Sequence, residues 1–347
     1  MQPVLLLGVE RRSAYGEFPL ARIAAAHPVV LVDTDPPDWT RPYLSGHIAA
    51  DPRREAQTAA AVTRYAARHP VRGLLTWDRA HLLTAARITG RLGLPGLSYE
   101  TASACADRAS LRASLARLNA PPAGAEDLEG PLVFAETVVL DDEVRIAALT
   151  RTTLGPPPAR LPLRHQVHAH DGLLHNPFCR QAVERTVRAL GLTHTVVRVG
   201  LRLTGRGPRV TDVVPHLPGD LVPLLVELAT GVDLARAAAA LATGALPDLA
   251  PTRQRAAAIQ FAYPAATGRL TRLDVDPTAS HEPSAERMVL TRQAGEAVTA
   301  APYGNVTDRL AHWVVTGEDA EECTRALRRM ADHLTAATLP ASDVFAA

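Results

Sequence analysis

The sequence predicts an α/β protein: an N-terminal parallel sheet flanked by helices, a mixed middle core and a β-rich C-terminal module. Three observations carry this. Short apolar runs alternate with helical patterns through residues 1–98. Pairs of β-branched stretches joined by turn residues fill the middle. From residue 256 onward, apolar runs of strand length dominate until a last amphipathic stretch.

The elements follow in order. Residues 4–7 read as a strand and 18–26 as a helix. Residues 29–32 form a second strand, which ends in Asp33-Thr34-Asp35. An alanine-rich helix covers 54–68, a third strand 71–76 ends at Trp77-Asp78, and a helix covers 79–92. This βαβαβα order implies a small parallel sheet, whose ligands bind beyond the carboxyl ends of its strands. Residues 102–119 read as one helix stopped by Pro121-Pro122. A hairpin over 133–153 turns at Asp141-Asp142. After the break at 155–158 comes a histidine-rich stretch, 161–179, and a helix over 182–190. Strands at 195–203 and 210–214 flank Gly205-Arg206-Gly207, and helices cover 219–230 and 233–242. Strands at 259–263, 270–273, 288–291 and 312–315 precede a helix over 320–337. That helix aligns Cys323, Leu327, Met330, Ala331 and Leu334 on one face.

Composition removes whole mechanisms. Lysine and arginine together number 37, and every one is arginine. No lysine can form a Schiff base or serve a phosphate-binding loop. Anions must be held by arginine or backbone N–H groups. The net charge of +1, without a long basic run, argues against nucleic acid. The start reads as a strand rather than a signal peptide, and no apolar run reaches membrane-helix length. Three scattered cysteines, Cys105, Cys179 and Cys323, point to a reducing compartment and hence the cytoplasm.

Four stretches resemble the ATP-grasp carboxylate–amine ligases, in particular their L-amino acid ligase branch. They are Leu92-Gly93-Leu94-Pro95-Gly96 with the helix through Asp107 and Arg108; the hairpin Glu136–Val144; and Gly191-Leu192-Thr193-His194-Thr195 with the block from Gly207 to Asp220. The fourth runs from Ala229-Thr230-Gly231 to Phe261-Ala262-Tyr263. The resemblance implies a pre-ATP-grasp domain over 1–98, an ATP-grasp core over 99–254 and a ligase-like module over 255–347. It also implies that most of the small lobe is missing, because residues 123–135 are too few to hold it. The phosphate-contacting lysine of the family is replaced by Arg108. Its Mg2+ ligands fall on Val196, Asp212 and Val214, and its arginine on His216. Valine cannot coordinate magnesium, a hard ion that takes oxygen ligands.

The expectation is therefore a degenerate ATP-grasp homologue with no cofactor, the alternative being a ligase that still uses ATP and Mg. Its substrate would be amino-acid-like, a peptide or acyl, in specialised metabolism. His216, Asp212 and His165 are the candidate acid/base residues. His194, Gly219, Asp220, Arg108 and Glu136 are the candidate substrate contacts. Asp220 reads equally as a helix N-cap, and Glu136 as a solvated strand residue. His168 and His170 on one strand face are a weak metal pair beside the reading as a polar surface loop. A homodimer or a partner ligase is the expected assembly.

Overall fold

A computed structural model describes residues 2–118 and 130–340, so part of the shortened stretch 123–135 and the predicted end of a helix at Asn119 lie outside it. The chain divides into two compact units. Unit 1 comprises Met1–Leu149, Asp171–Glu227 and Gly231–Thr252; unit 2 comprises Thr150–His170, Leu228–Thr230 and Arg253–Ala347.

Unit 1 opens with β1 (Val4–Leu7), α1 (Ser13–Ala24), β2 (Val29–Asp33), β3 (Gly46–Ala49), α2 (Glu55–Ala66), β4 (Gly73–Leu75) and α3 (Leu82–Leu92). The four strands pair in the order β3-β2-β1-β4, all parallel. Every residue of β1 and β2 is buried, which explains their unbroken apolar runs. The edge strand β3 was not expected from the sequence. Only Ile48 of its four residues is buried, so it leaves almost no apolar signal. Helix α1 starts at Ser13, earlier than predicted, and carries Pro19 inside it.

The helix predicted over 102–119 is two: α4 (Tyr99–Ala106) and α5 (Arg108–Leu118). Asp107 breaks them. Its backbone is extended and its carboxylate accepts the Ser110 N–H at 2.7 Å, which caps the second helix. The chain continues through β5 (Leu132–Leu140), β6 (Glu143–Leu154), β7 (Pro162–His168), α6 (Pro177–Ala189), β8 (Thr195–Thr204) and β9 (Gly207–Val214). Within unit 1 the antiparallel order is β6-β5-β8-β9. Leu111 and Leu115 of α5 and Val183 and Val187 of α6 pack on Val133, Val199, Leu201 and Val213 of that sheet.

Helices α7 (Val222–Thr230) and α8 (Leu234–Ala242) follow. Asp220 is not the cap of α7, as the sequence suggested. Leu221 holds that position with φ +58° and no side-chain cap, and Asp220 before it also has φ +57°. Asp233 does cap α8, accepting the N–H groups of Ala235 and Arg236. The small residues of α8 permit an unusually close approach. A Cβ on Gly73 of β4 would lie 2.4 Å from the carbonyl oxygen of Ala242.

Unit 2 contains β10 (Ala256–Ala262), β11 (Gly268–Val275), β12 (Ala285–Leu290), β13 (Ala297–Val298), β14 (Ala311–Gly317), α9 (Ala320–Asp332) and β15 (Leu334–Pro340). Its strands pair as β12-β14-β10-β7-β6, antiparallel, and separately as β13-β11-β15. Cys323, Leu327 and Met330 of α9 pack on Ala256, Ala258, Trp313 and Val315. The predicted last helix is therefore too long: it ends at Asp332, and Leu334 belongs to a strand. Ala331 is exposed rather than on the apolar face. Among the described residues no helix is long and apolar enough to cross a membrane.

Candidate functional site

Residues two apart on a strand share a face. On β8 and β9 one face carries Val196, Arg198 and Gly200 beside Asp212 and Val214, with Arg198 opposite Val214 and Gly200 opposite Asp212. Glu136 on β5 stands directly opposite Arg198 and extends the same face. The register thus gathers the positions that the sequence singled out.

The acids on this face are engaged by arginine. Asp212 Oδ1 accepts Arg79 Nη2 at 3.3 Å, and the same guanidinium donates to the carbonyls of Val213 and Cys105. Glu136 is fully buried rather than solvated, and Arg198 Nε lies 3.4 Å from its Oε1. The Arg198 guanidinium stacks 3.9 Å from the centre of the Phe134 ring. Arg79 was not anticipated. It reaches across 133 residues of sequence, and its only sequence signal is its place after the strand-end pair Trp77-Asp78.

His216 follows β9. Its Nδ1 is 2.9 Å from the Leu217 carbonyl, so that nitrogen carries the proton and Nε2 keeps the lone pair. Burial lowers its pKa to about 4. The bond to Leu217 opposes this, Arg79 reinforces it, and Asp78 and Asp212 oppose it weakly. The ring is neutral at pH 7. His194 sits in the left-handed region at φ +49°, with Nδ1 3.0 Å from Thr193 Oγ1 and Nε2 3.6 Å from Asp141. Gly219 and Arg108, the latter at the head of α5, are exposed.

His165 lies in unit 2, buried on β7. Its Nδ1 is 2.9 Å from Thr152 Oγ1, and its ring meets Phe261 edge-on. His168 ends β7 and His170 lies beyond it, so the two do not share a strand face as expected; their rings are 5.8 Å apart. No group of three or more His, Cys, Asp or Glu among the described residues is placed to hold a metal. The cysteines are buried and unpaired, and burial pushes Cys105 to about 11 and Cys323 to about 12. Neither supplies a thiolate nucleophile at neutral pH.

A second cluster occupies the carboxyl ends of the parallel strands. Gly8, φ +71°, leaves room for the His81 ring, which a Cβ there would approach to 2.6 Å. Burial raises Glu10 to about 6, its own backbone N–H opposes this, and Asp78 and Asp220 add to it. Nearby, a cavity of about 70 Å³ is lined by apolar side chains together with Trp77, His194, Thr195 and His216.

Residues 260–338 match the family described as L-amino acid ligase C-terminal domain 2. The L-amino acid ligase of Bacillus licheniformis is similar in fold: TM-score 0.82, 16% identity, covering 98% of this chain and 99% of that one. So is phosphoribosylglycinamide synthetase of Anaerococcus prevotii, with TM-score 0.80 and 14% identity over 97% of this chain and 100% of that one. The uncharacterized protein y4rH of Sinorhizobium fredii (strain NBRC 101917 / NGR234) is 27% identical over 219 residues, 62% of this chain. The chain spans 44% of that relative's length. The parallel sheet, the antiparallel sheets and these matches together establish an ATP-grasp, ligase-like fold in which residues 260–338 are similar to an L-amino acid ligase C-terminal domain.

Proposed function

We propose that this chain is a degenerate ATP-grasp homologue that works without ATP. It would bind an amino-acid-like, peptide or acyl substrate in the specialised metabolism of a cytoplasm. One observation carries the reading: of the three positions where the fold family's metal ligands are expected, two are Val196 and Val214, and the third, Asp212, is held by Arg79 at 3.3 Å. Mg2+ wants several oxygen ligands in near-octahedral order. This donor set does not fit it. Phosphoryl transfer depends almost entirely on positioning and charge stabilisation, and the chain has no lysine to contribute.

The chemistry assigned to the chain is proton transfer, in a cyclisation, an elimination or an acyl transfer. His216 and Asp212 of unit 1 are the residues assigned to it, and His165, in unit 2, is tested on its own. Neutral His216 holds a lone pair at Nε2 and accepts a proton there. A pKa of about 4 makes it a weak base, suited to a substrate proton that is already acidic. Calorimetry with ATP and Mg2+ tests the reading. No binding is the expected result, and micromolar binding overturns it. A non-catalytic partner role is separated from catalysis by His216→Ala and His165→Ala: unchanged pathway output favours the scaffold.

The C-terminal match favours a second reading, an active carboxylate–amine ligase with an altered nucleotide clamp. Release of ADP in the presence of an amino acid and a carboxylate would establish it.

A further inference from the structure

The cavity in unit 1 is lined by residues whose ring nitrogens keep unspent hydrogen-bonding capacity. Its apolar wall includes Leu74, Leu82, Leu97, Val196, Leu217 and Ala238. Its polar wall can be accounted for group by group. Thr76 Oγ1 donates to the Leu7 carbonyl and accepts from Asp78 N–H. Thr89 Oγ1 donates to the carbonyls of Ala85 and Ala86. Thr195 Oγ1 donates to those of Val196 and Pro215. His194 Nδ1 is taken up by Thr193 Oγ1, while its Nε2 lies 3.6 Å from the exposed Asp141 carboxylate, beyond hydrogen-bonding distance.

Trp77 and His216 are the other two ring-bearing polar residues of this wall. Trp77 Nε1 is buried and has no partner among the described residues. His216 uses Nδ1 on Leu217 and retains a lone pair at Nε2. Buried polar groups are almost always paired, and an orphaned donor typically costs about 1–3 kcal/mol. Indole N–H can only donate, so whatever completes it must present an acceptor. No Asp, Glu or Arg lines the space, so a charged molecule there would lose its hydration with no charged side chain on the wall to pair it.

We infer that this cavity binds a small uncharged aliphatic molecule bearing a carbonyl or hydroxyl oxygen, which accepts the Trp77 N–H. Its volume of about 70 Å³ gives room for several water-sized groups. The inference goes beyond the function proposed above and does not rest on it. Nucleotide binding would end that reading and leave this one standing.

The test uses the full chain labelled with nitrogen-15. Three indole cross-peaks are expected, from Trp39, Trp77 and Trp313, and Trp77→Phe identifies the relevant one. Propanamide is the probe and propanoate at pH 7 the charged control. Propanamide should move the Trp77 peak downfield and saturably while the other two stay in place. Propanoate should bind at least about tenfold more weakly. Ala238→Leu, which fills the space, should abolish the shift. If that variant does not fold, calorimetry on Trp77→Phe replaces it, with a loss of about tenfold in propanamide affinity expected. The inference is overturned by an absent or non-saturating shift, by equal movement of all three indoles, by propanoate binding as tightly, or by undiminished affinity in Trp77→Phe.

Discussion

Two neighbourhoods of unit 1 differ in how their polar groups are spent. On the β5/β8/β9 face, each carboxylate described above is matched to a guanidinium: Asp212 to Arg79, and Glu136 to Arg198. Around the cavity the polar atoms are uncharged, and two ring nitrogens keep open valences. The contrast teaches that one unit can hold two polar neighbourhoods of different chemistry, one paired charge to charge and the other built from neutral hydrogen-bonding groups.

The comparison is broken most severely at Arg198. Arg198→Ala removes the guanidinium that faces fully buried Glu136, with an expected loss of about 3–5 kcal/mol in urea unfolding. A loss near zero would mean that this pair behaves like a surface contact.

His216 comes next. Its folded pKa of about 4 lies below the ordinary 6.5, so the folded chain resists protonation. Its contribution is complete above pH 6.5 and is lost as pH falls toward 4, by up to about 3 kcal/mol. His216→Gln should flatten that part of the stability profile. An unchanged difference between urea midpoints at neutral and acid pH would contradict the burial argument.

Gly73→Ala tests the wall behind the cavity. The new methyl meets the Ala242 carbonyl, and a cost of about 1–3 kcal/mol is expected in thermal or urea unfolding. The smallest effect belongs to Arg79→Ala. Asp212 is nearly half exposed, so the pair should contribute about 1 kcal/mol or less to stability. The variant sharpens the comparison by another route. With Asp212 released, titration with Mn2+ shows whether one free carboxylate suffices for binding. Weak or no binding is expected.

How far the sequence reveals all this depends on where each signal is stored. Strands β1 and β2 are buried throughout and therefore read as apolar runs, whereas β3 and β13 are short and partly exposed and leave no such trace. The hairpin turn at Asp141-Asp142 was legible because both residues are turn formers next to β-branched arms. The helix break at Asp107 was not, since the apolar spacing continues through it and only local capping bonds from one aspartate interrupt it. Asp212 and His216 were found from local pattern. Arg79 and the Trp77 cavity were not, because they arise where segments far apart in sequence converge.

The bare contact at Gly73 reaches further than its own stability cost. At Gly73 the nearest atoms of helix α8 are the Ala242 carbonyl group, which cannot be trimmed to make space, and Ala238 and Ala242 of that helix form part of the cavity wall. A single hydrogen atom at residue 73 thus acts as the set-screw for the chamber's width. Any lineage that enlarged that residue would have re-tuned which guests the chamber admits before altering a single group that touches them.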